Sequence, residues 1–193
     1  GVPVRTELVR PRVDAGARER VGARLAAAGI SPSDRLVIVH PGSGGNAREW
    51  PPECFGALAA RLGADPGTRV VVTGIERERA LCGAVLAAGG ERVAAVSMAG
   101  ALSLAEMIAL VDRSALVVAN STGVLHVAAA LGVPVLGLYP SAPPALSAAR
   151  WGPYTKRATV LTPPIDTPGE MTLITPDAAE AAARALFTLP PRN

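Results

Sequence analysis

Short apolar runs alternate with longer mixed segments along most of this chain. Leu36-Val37-Ile38-Val39 is apolar at four successive positions and rich in β-branched residues, the mark of a strand buried on both faces. Comparable runs predict strands at 69–73, 93–96, 116–119 and 133–138, with a sixth at 159–161. Between them the pattern turns helical, over 52–62, 76–88, 103–112 and 122–131. A leading helix is expected over 14–28, after a short extended lead and before the stop at Gly29. The last helix has Thr175 as its cap, Pro176 in the first helical position and Asp177 in the first turn, and runs to Phe187. Ser103 and Glu106 have the spacing of a capping box. Regular alternation lapses in a proline-rich loop over 140–153.

Strands alternating with helices at this spacing imply βαβ units and a mainly parallel sheet covered on both faces. Right-handed crossovers then give an α/β, Rossmann-like doubly wound layout. Ligands in such sheets bind outside the carboxyl ends of the strands. The informative loops are therefore those after Val39, Thr73, Val96, Ala119 and Leu138.

Composition narrows the class. With 49% hydrophobic and 18% charged residues in 193, the chain suits one folded domain and excludes disorder. The expected division is a lead and helix over 1–34, a core over 35–162, and a loop and helix over 163–193. Aromatics at 3% argue against a single-strand nucleic-acid binder that stacks bases on rings. The net charge is +3, Lys156 is the one lysine, and the arginines are scattered rather than gathered in a stripe. No nucleic-acid partner is expected. Cys54 and Cys82 lack metal-ligand spacing and read as buried thiols of a reducing compartment. No secretory signal is evident, and the longest apolar stretch, over 124–139, is broken by His126 and Pro134, so a soluble protein is expected. A first residue of Gly1 rather than Met is what a processed chain or a fragment would show.

Two loops carry anion chemistry. In the first, His40-Pro41-Gly42-Ser43-Gly44-Gly45-Asn46-Ala47-Arg48, three glycines allow close backbone approach, Ser43 and Asn46 add donors, and Arg48 offers a fork to phosphate. It is neither a Walker loop nor a GxGxxG fingerprint, and a plain strand-to-helix turn is the competing account. In the fourth, Asn120-Ser121-Thr122-Gly123-Val124-Leu125-His126, Ser121 or Thr122 caps a helix whose amides and dipole favour an anion. His126 either donates to a diphosphate there or packs in the core. The second loop offers Glu76, which either holds ribose hydroxyls or merely favours a helix start. The third, Met98-Ala99-Gly100-Ala101-Leu102, supplies a small apolar wall. Asp65, Asp112 and the helix acids have capping or solvated-face explanations, and no general base or metal-ligand cluster stands out.

Together these pieces resemble the donor-binding half of family 9 glycosyltransferases, the bacterial ADP-heptose:lipopolysaccharide heptosyltransferase group. The matching segments are HPGSGGNAREWP, TGIERE, GALSLAEM, ANSTGVLHVAAALGVPVLGLYP and the later WGP, over roughly 35–155. The resemblance implies the C-terminal domain of a GT-B enzyme, binding an ADP-linked sugar and transferring it with inversion and no metal. It implies Ser43, Gly44 and Arg48 near the donor phosphates, Arg48 standing for the family's lysine. It places Glu76, or else Glu78, at the ribose and Leu102 along the adenine wall. Ser121, Thr122, Gly123 and His126 match the family's Asp-Thr-Gly-x-x-His diphosphate and sugar site. Serine at 121 in place of the acid leaves the identity of the sugar open. The catalytic base is expected from an N-terminal acceptor domain that this chain lacks, so no catalytic residue is assigned and the chain alone is expected to be inactive. The full enzyme would use a glycolipid acceptor, in the cytoplasm or peripherally at the inner membrane. A sugar-nucleotide epimerase domain of GT-B type and a non-enzymatic nucleotide-binding or assembly domain are the alternatives.

Overall fold

A computed structural model describes residues 9–45, 47–90 and 93–190. Its frame is a six-stranded parallel sheet of β1 (Arg35–His40), β2 (Thr68–Val72), β3 (Ala95–Ser97), β4 (Leu116–Asn120), β5 (Val135–Leu138) and β6 (Ala158–Leu161). The strand order is β3-β2-β1-β4-β5-β6, so the chain winds outward from β1, returns, and winds outward the other way from β4. This is the doubly wound α/β layout expected from the sequence, with its order reversing between β1 and β4.

The pleat divides the core. Val37, Val39, Val70, Val72, Leu116, Val118, Leu136 and Leu138 face one layer. That layer is covered by α2 (Pro52–Gly63), α3 (Arg79–Gly89) and α7 (Pro176–Phe187). Leu36, Ile38, Val71, Val117, Ala119 and Val135 face the other. That side is covered by α1 (Ala15–Ala27), α4 (Leu104–Arg113) and α5 (Gly123–Ala130). Strands buried on both faces explain why their sequences are continuously apolar.

Helix starts follow their caps. Asp14 accepts from the Ala17 amide at 2.7 Å, and Thr175 from Ala178 at 3.2 Å. Ser103 accepts from Glu106 while the Glu106 carboxylate accepts from the Ser103 amide (2.9 Å) and hydroxyl (2.7 Å), the expected capping box. Other boundaries differ. The helix expected over 76–88 opens as a 3₁₀ turn, Glu76–Glu78, because Glu78 turns back to accept from the Ile75 amide. The β5 strand starts at Val135 because the Val133 amide closes the end of α5 on Ala128 and Pro134 has no N–H. The Val93 amide bonds the Gly90 carbonyl instead of the β2 ladder, so β3 begins later than expected. The loop over 140–153 contains a 3₁₀ turn, Pro144–Leu146, and a four-residue helix α6 (Ala148–Trp151). Cys82 is buried, with burial and the Glu78 charge pushing its thiol up to about 11, whereas Cys54 is only partly buried. Of the lead segment, residues 1–8 lie outside the described residues.

Gly56 of α2 touches α3 at backbone range. A Cβ added there would lie 2.6 Å from the Val85 carbonyl oxygen and 2.8 Å from the Gly89 nitrogen. Replacing Gly56 by Ala should therefore destabilise by about 1–3 kcal/mol through overpacking, despite alanine's better helix propensity. Chemical denaturation measures it.

The Glu106 carboxylate, buried at the α1–α4 contact beside Arg20 and Arg24, is held down to about 2 by its hydrogen bonds to Ser103 and then by the arginines. A carboxylate lowered on folding stabilises fully above its ordinary pKa of 4.5, and that stabilisation disappears as pH falls toward 2. The Tm gap between the native chain and Glu106→Gln should be widest above pH 5 and close through that window.

Candidate functional site

The carboxyl ends of the strands open into a cleft of about 1130 Å³ beside the strand-order reversal, where such sheets bind ligands. Asn120, the last residue of β4, is fully buried beside the loop after β1. Its carbonyl oxygen accepts from the Trp50 amide (2.9 Å) and its Nδ2 donates to the Pro41 carbonyl (2.6 Å). The loop after β1 is thereby tied at both ends to β4. Trp50, packed edge-on against Phe55, extends the tie by donating its indole N–H to Ile174 at 2.7 Å.

The glycine-rich loop is shaped by the protein's own carboxylates. Ser43 donates both its amide and its hydroxyl to Glu49, each at 2.8 Å. The Gly44 amide donates to Glu78 at 3.2 Å, and the Gly44 carbonyl accepts from Arg77 at 3.0 Å. Gly42 is glycine because the Glu78 carboxylate fills its missing side chain: a Cβ there would lie 2.2 Å from Oε1. The open backbone of this loop, read from the sequence as room for a ligand, is thus partly occupied from within. His40, buried beside Glu78, shares a 2.9 Å hydrogen bond between Nδ1 and Thr73 Oγ1. Burial lowers its pKa, with the Glu78 charge opposing, so the ring is held neutral.

Eight of the nine site residues expected from the sequence line the cleft: Ser43, Gly44, Glu76, Leu102, Ser121, Thr122, Gly123 and His126. Thr122, rather than Ser121, caps α5, accepting from the Val124 amide at 3.3 Å. Gly123 takes the first helical position, where amides have no intrahelical partner and the dipole is positive. His126 is exposed to the cleft rather than packed in the core. The Ser121 side chain lies beside Tyr139, whose hydroxyl donates to the Trp151 carbonyl at 2.7 Å. Glu76 is exposed, and Arg79 grips both of its oxygens, at 2.8 and 2.6 Å, holding the carboxyl below its ordinary pKa.

Arg48 is the exception. It is exposed, outside the cleft lining, with its guanidinium against Gly169. Asn46 lies outside the described residues. Sequence reasoning missed Glu78's role in building the loop, and missed Arg150 and Trp151, which line the far wall. Trp151 belongs to the WGP segment, but it follows the lapse in alternation that marks the other site loops. Asp65 pairs with Arg184, and Asp112 with Arg10 and Arg18, in agreement with their reading as surface acids. Among the described residues no three His, Cys, Asp or Glu side chains gather as a metal site, and no helix is long and apolar enough to cross a membrane.

Since Glu78 occupies the space of a Gly42 side chain, Gly42→Ala should drive the carboxylate off the Ile75 and Gly44 amides. Its cost should shrink by about 1 kcal/mol or more when Glu78 is already alanine, the coupling expected of contacting residues. A double-mutant cycle by urea denaturation measures that coupling.

Comparison with known proteins gives the family. The family model of glycosyltransferase family 9 (heptosyltransferase) matches residues 8–169. Lipopolysaccharide heptosyltransferase 2 of Escherichia coli K12 is 34% identical over 102 residues, covering 51% of this chain and 29% of that protein. The solved E. coli ADP-heptose heptosyltransferase II superposes with a TM-score of 0.76 at 26% identity, covering 92% of this chain and 53% of that one. A family 9 glycosyltransferase from Veillonella parvula superposes at 0.81 and 21% identity, covering 95% and 55%. E. coli heptosyltransferase WaaC, solved with ADP, superposes at 0.66 and 19%, covering 81% and 45%. This chain spans about half the length of these solved structures. With most of its length matched and its cleft assembled from the segments that carry the match, the chain belongs to glycosyltransferase family 9.

Proposed function

We propose that this domain binds the nucleotide-sugar donor, ADP-linked, of an inverting family 9 glycosyltransferase acting in lipopolysaccharide or cell-surface glycan assembly. The observation that carries the reading is the cleft itself, which gathers eight of the expected donor residues at the strand-order reversal. The names of the relatives support the ligand class: one is an ADP-heptose enzyme, and WaaC was solved with ADP.

In this reading the base lies along Leu102 and Met107, which line the end of the cleft under β3 and α4. Glu76 accepts from the ribose hydroxyls; Arg79 keeps it ionised and acceptor-only. The diphosphate meets the α5 N-terminus at Thr122 and Gly123, with His126 one turn along as a further donor. Both carboxylates that line the cleft, Glu76 and Glu78, are already engaged, by Arg79 and by the Ile75 and Gly44 amides respectively. Neither is placed as a general base for an acceptor hydroxyl. The reading accordingly assigns that base and the acceptor, a glycolipid, to a separate acceptor domain.

ADP at one hundred times its Kd should raise the Tm by roughly 5–10 °C, since such occupancy contributes about 2.7 kcal/mol and a chain of this size shifts by about 2–4 °C per kcal/mol. UDP and GDP should give smaller shifts. A folded sample that shows no heat of binding and no thermal shift at millimolar ADP would overturn the reading. Glu76→Gln should weaken ADP by about fivefold to tenfold while leaving 2′,3′-dideoxy-ADP unchanged, because a carboxylate's two acceptors are then redundant.

A further inference from the structure

Along the cleft the groups follow the strand order. Gly100 and Leu102 lie beyond β3, Glu76 beyond β2, Gly44 beyond β1, and Thr122, Gly123 and His126 beyond β4. Arg150 stands past all of these, on the β5 side, carried by α6. Among the described residues it has no carboxylate partner, and it is the one lysine or arginine side chain lining the cleft.

Its support is specific. The guanidinium carbon lies 5.2 Å from the centre of the Trp151 ring. The Trp151 indole N–H donates to Ala145 at 2.8 Å, and its carbonyl accepts from the buried Tyr139 hydroxyl at 2.7 Å. Tyr139 in turn lies beside the Ser121 side chain, next to the α5 cap. A chain of contacts therefore runs from the anion-favouring helix start to the cation: Ser121, Tyr139, Trp151, Arg150. Two donors fall on either side of one gap, helix amides on the β4 side and a planar fork on the β5 side.

We propose that Arg150 holds the second phosphate of the bound nucleoside diphosphate, with Trp151 and Tyr139 as positioning residues for its guanidinium. The proposal rests on the donor-binding reading above and assigns the cleft's cation to the loop after β5 instead of the loop after β1. The strand order gives the assignment its polarity. With the nucleoside at the β2–β3 end and the first phosphate at α5, the group reaching the β5 side is the phosphate that carries the sugar.

The test is a calorimetric comparison of ADP and AMP on the native chain, Arg150→Gln, Arg150→Lys and Tyr139→Phe. Losing a charge-assisted, forked contact should cost Arg150→Gln about tenfold or more in ADP affinity and leave AMP within twofold. Arg150→Lys should recover part of the loss, because it keeps the charge without the fork or the stacking. Tyr139→Phe should weaken ADP less than Arg150→Gln does, again sparing AMP. ADP affinity unchanged in Arg150→Gln would overturn the proposal, and so would equal losses for ADP and AMP, which mark a merely structural role. A native chain that binds neither nucleotide would instead overturn the donor reading on which the proposal stands.

Discussion

The cleft depends on one buried side chain amide. At the end of β4, Asn120 satisfies the Trp50 N–H and the Pro41 carbonyl, two backbone groups of a loop that departs from β1. The two strands are neighbours in the sheet but lead their helices to opposite faces, so no ladder hydrogen bond continues past their ends. Water would otherwise have to serve those groups. An amide can do so because it carries donor and acceptor a fixed distance apart, whereas an aspartate offers no donor to Pro41. Removing it would orphan buried polar groups, each worth roughly 1–3 kcal/mol. It would also release Trp50 and, through its indole, the segment at Ile174.

The acids of the site serve mainly its architecture. Glu49 and Glu78 bind backbone amides of the glycine-rich turn, and Glu78 fills the space beside Gly42. A loop with several glycines would sample many conformations, and carboxylates that each accept from two donors select one of them. His40 lines the same cleft, where burial lowers its pKa against the opposing Glu78 charge. What else faces the cleft is the α5 start, the Arg79-paired Glu76 carboxylate and Arg150.

Much of this was legible in the sequence, because the governing physics is local. Continuous apolar runs specify strands covered on both sides, and the caps at Ser103 and Thr175 are side-chain-to-amide contacts within three residues. The α/β fold class and the positions of the four main site loops follow directly from that. Arg48 lies outside the cleft lining, a position its own segment does not reveal, because its guanidinium rests where Gly169, 121 positions away, leaves room for it. Glu78 read from the sequence as a second choice for the ribose carboxylate, and its role in the glycine-rich loop was hidden because its partner at Gly44 is 34 residues distant. Arg150 escaped notice for a related reason. Its supports, Tyr139 and Ala145, lie in a proline-rich stretch without periodicity, where pattern carries no information about which way a side chain faces.

The backbone contact between α2 and α3 at Gly56 has a consequence for how the cleft meets a ligand. These helices follow the loops after β1 and β2, so the walls bearing Gly44 and Glu76 are parts of a single rigid wedge. Their separation is set before any ligand arrives, and little ordering entropy is lost on that side when one binds. The opposite wall is a four-residue helix and a 3₁₀ turn held by a few hydrogen bonds. Adjustment to ligands of different size therefore falls to that wall, leaving the β1–β2 side as a fixed gauge and the β5 side as the compliant jaw.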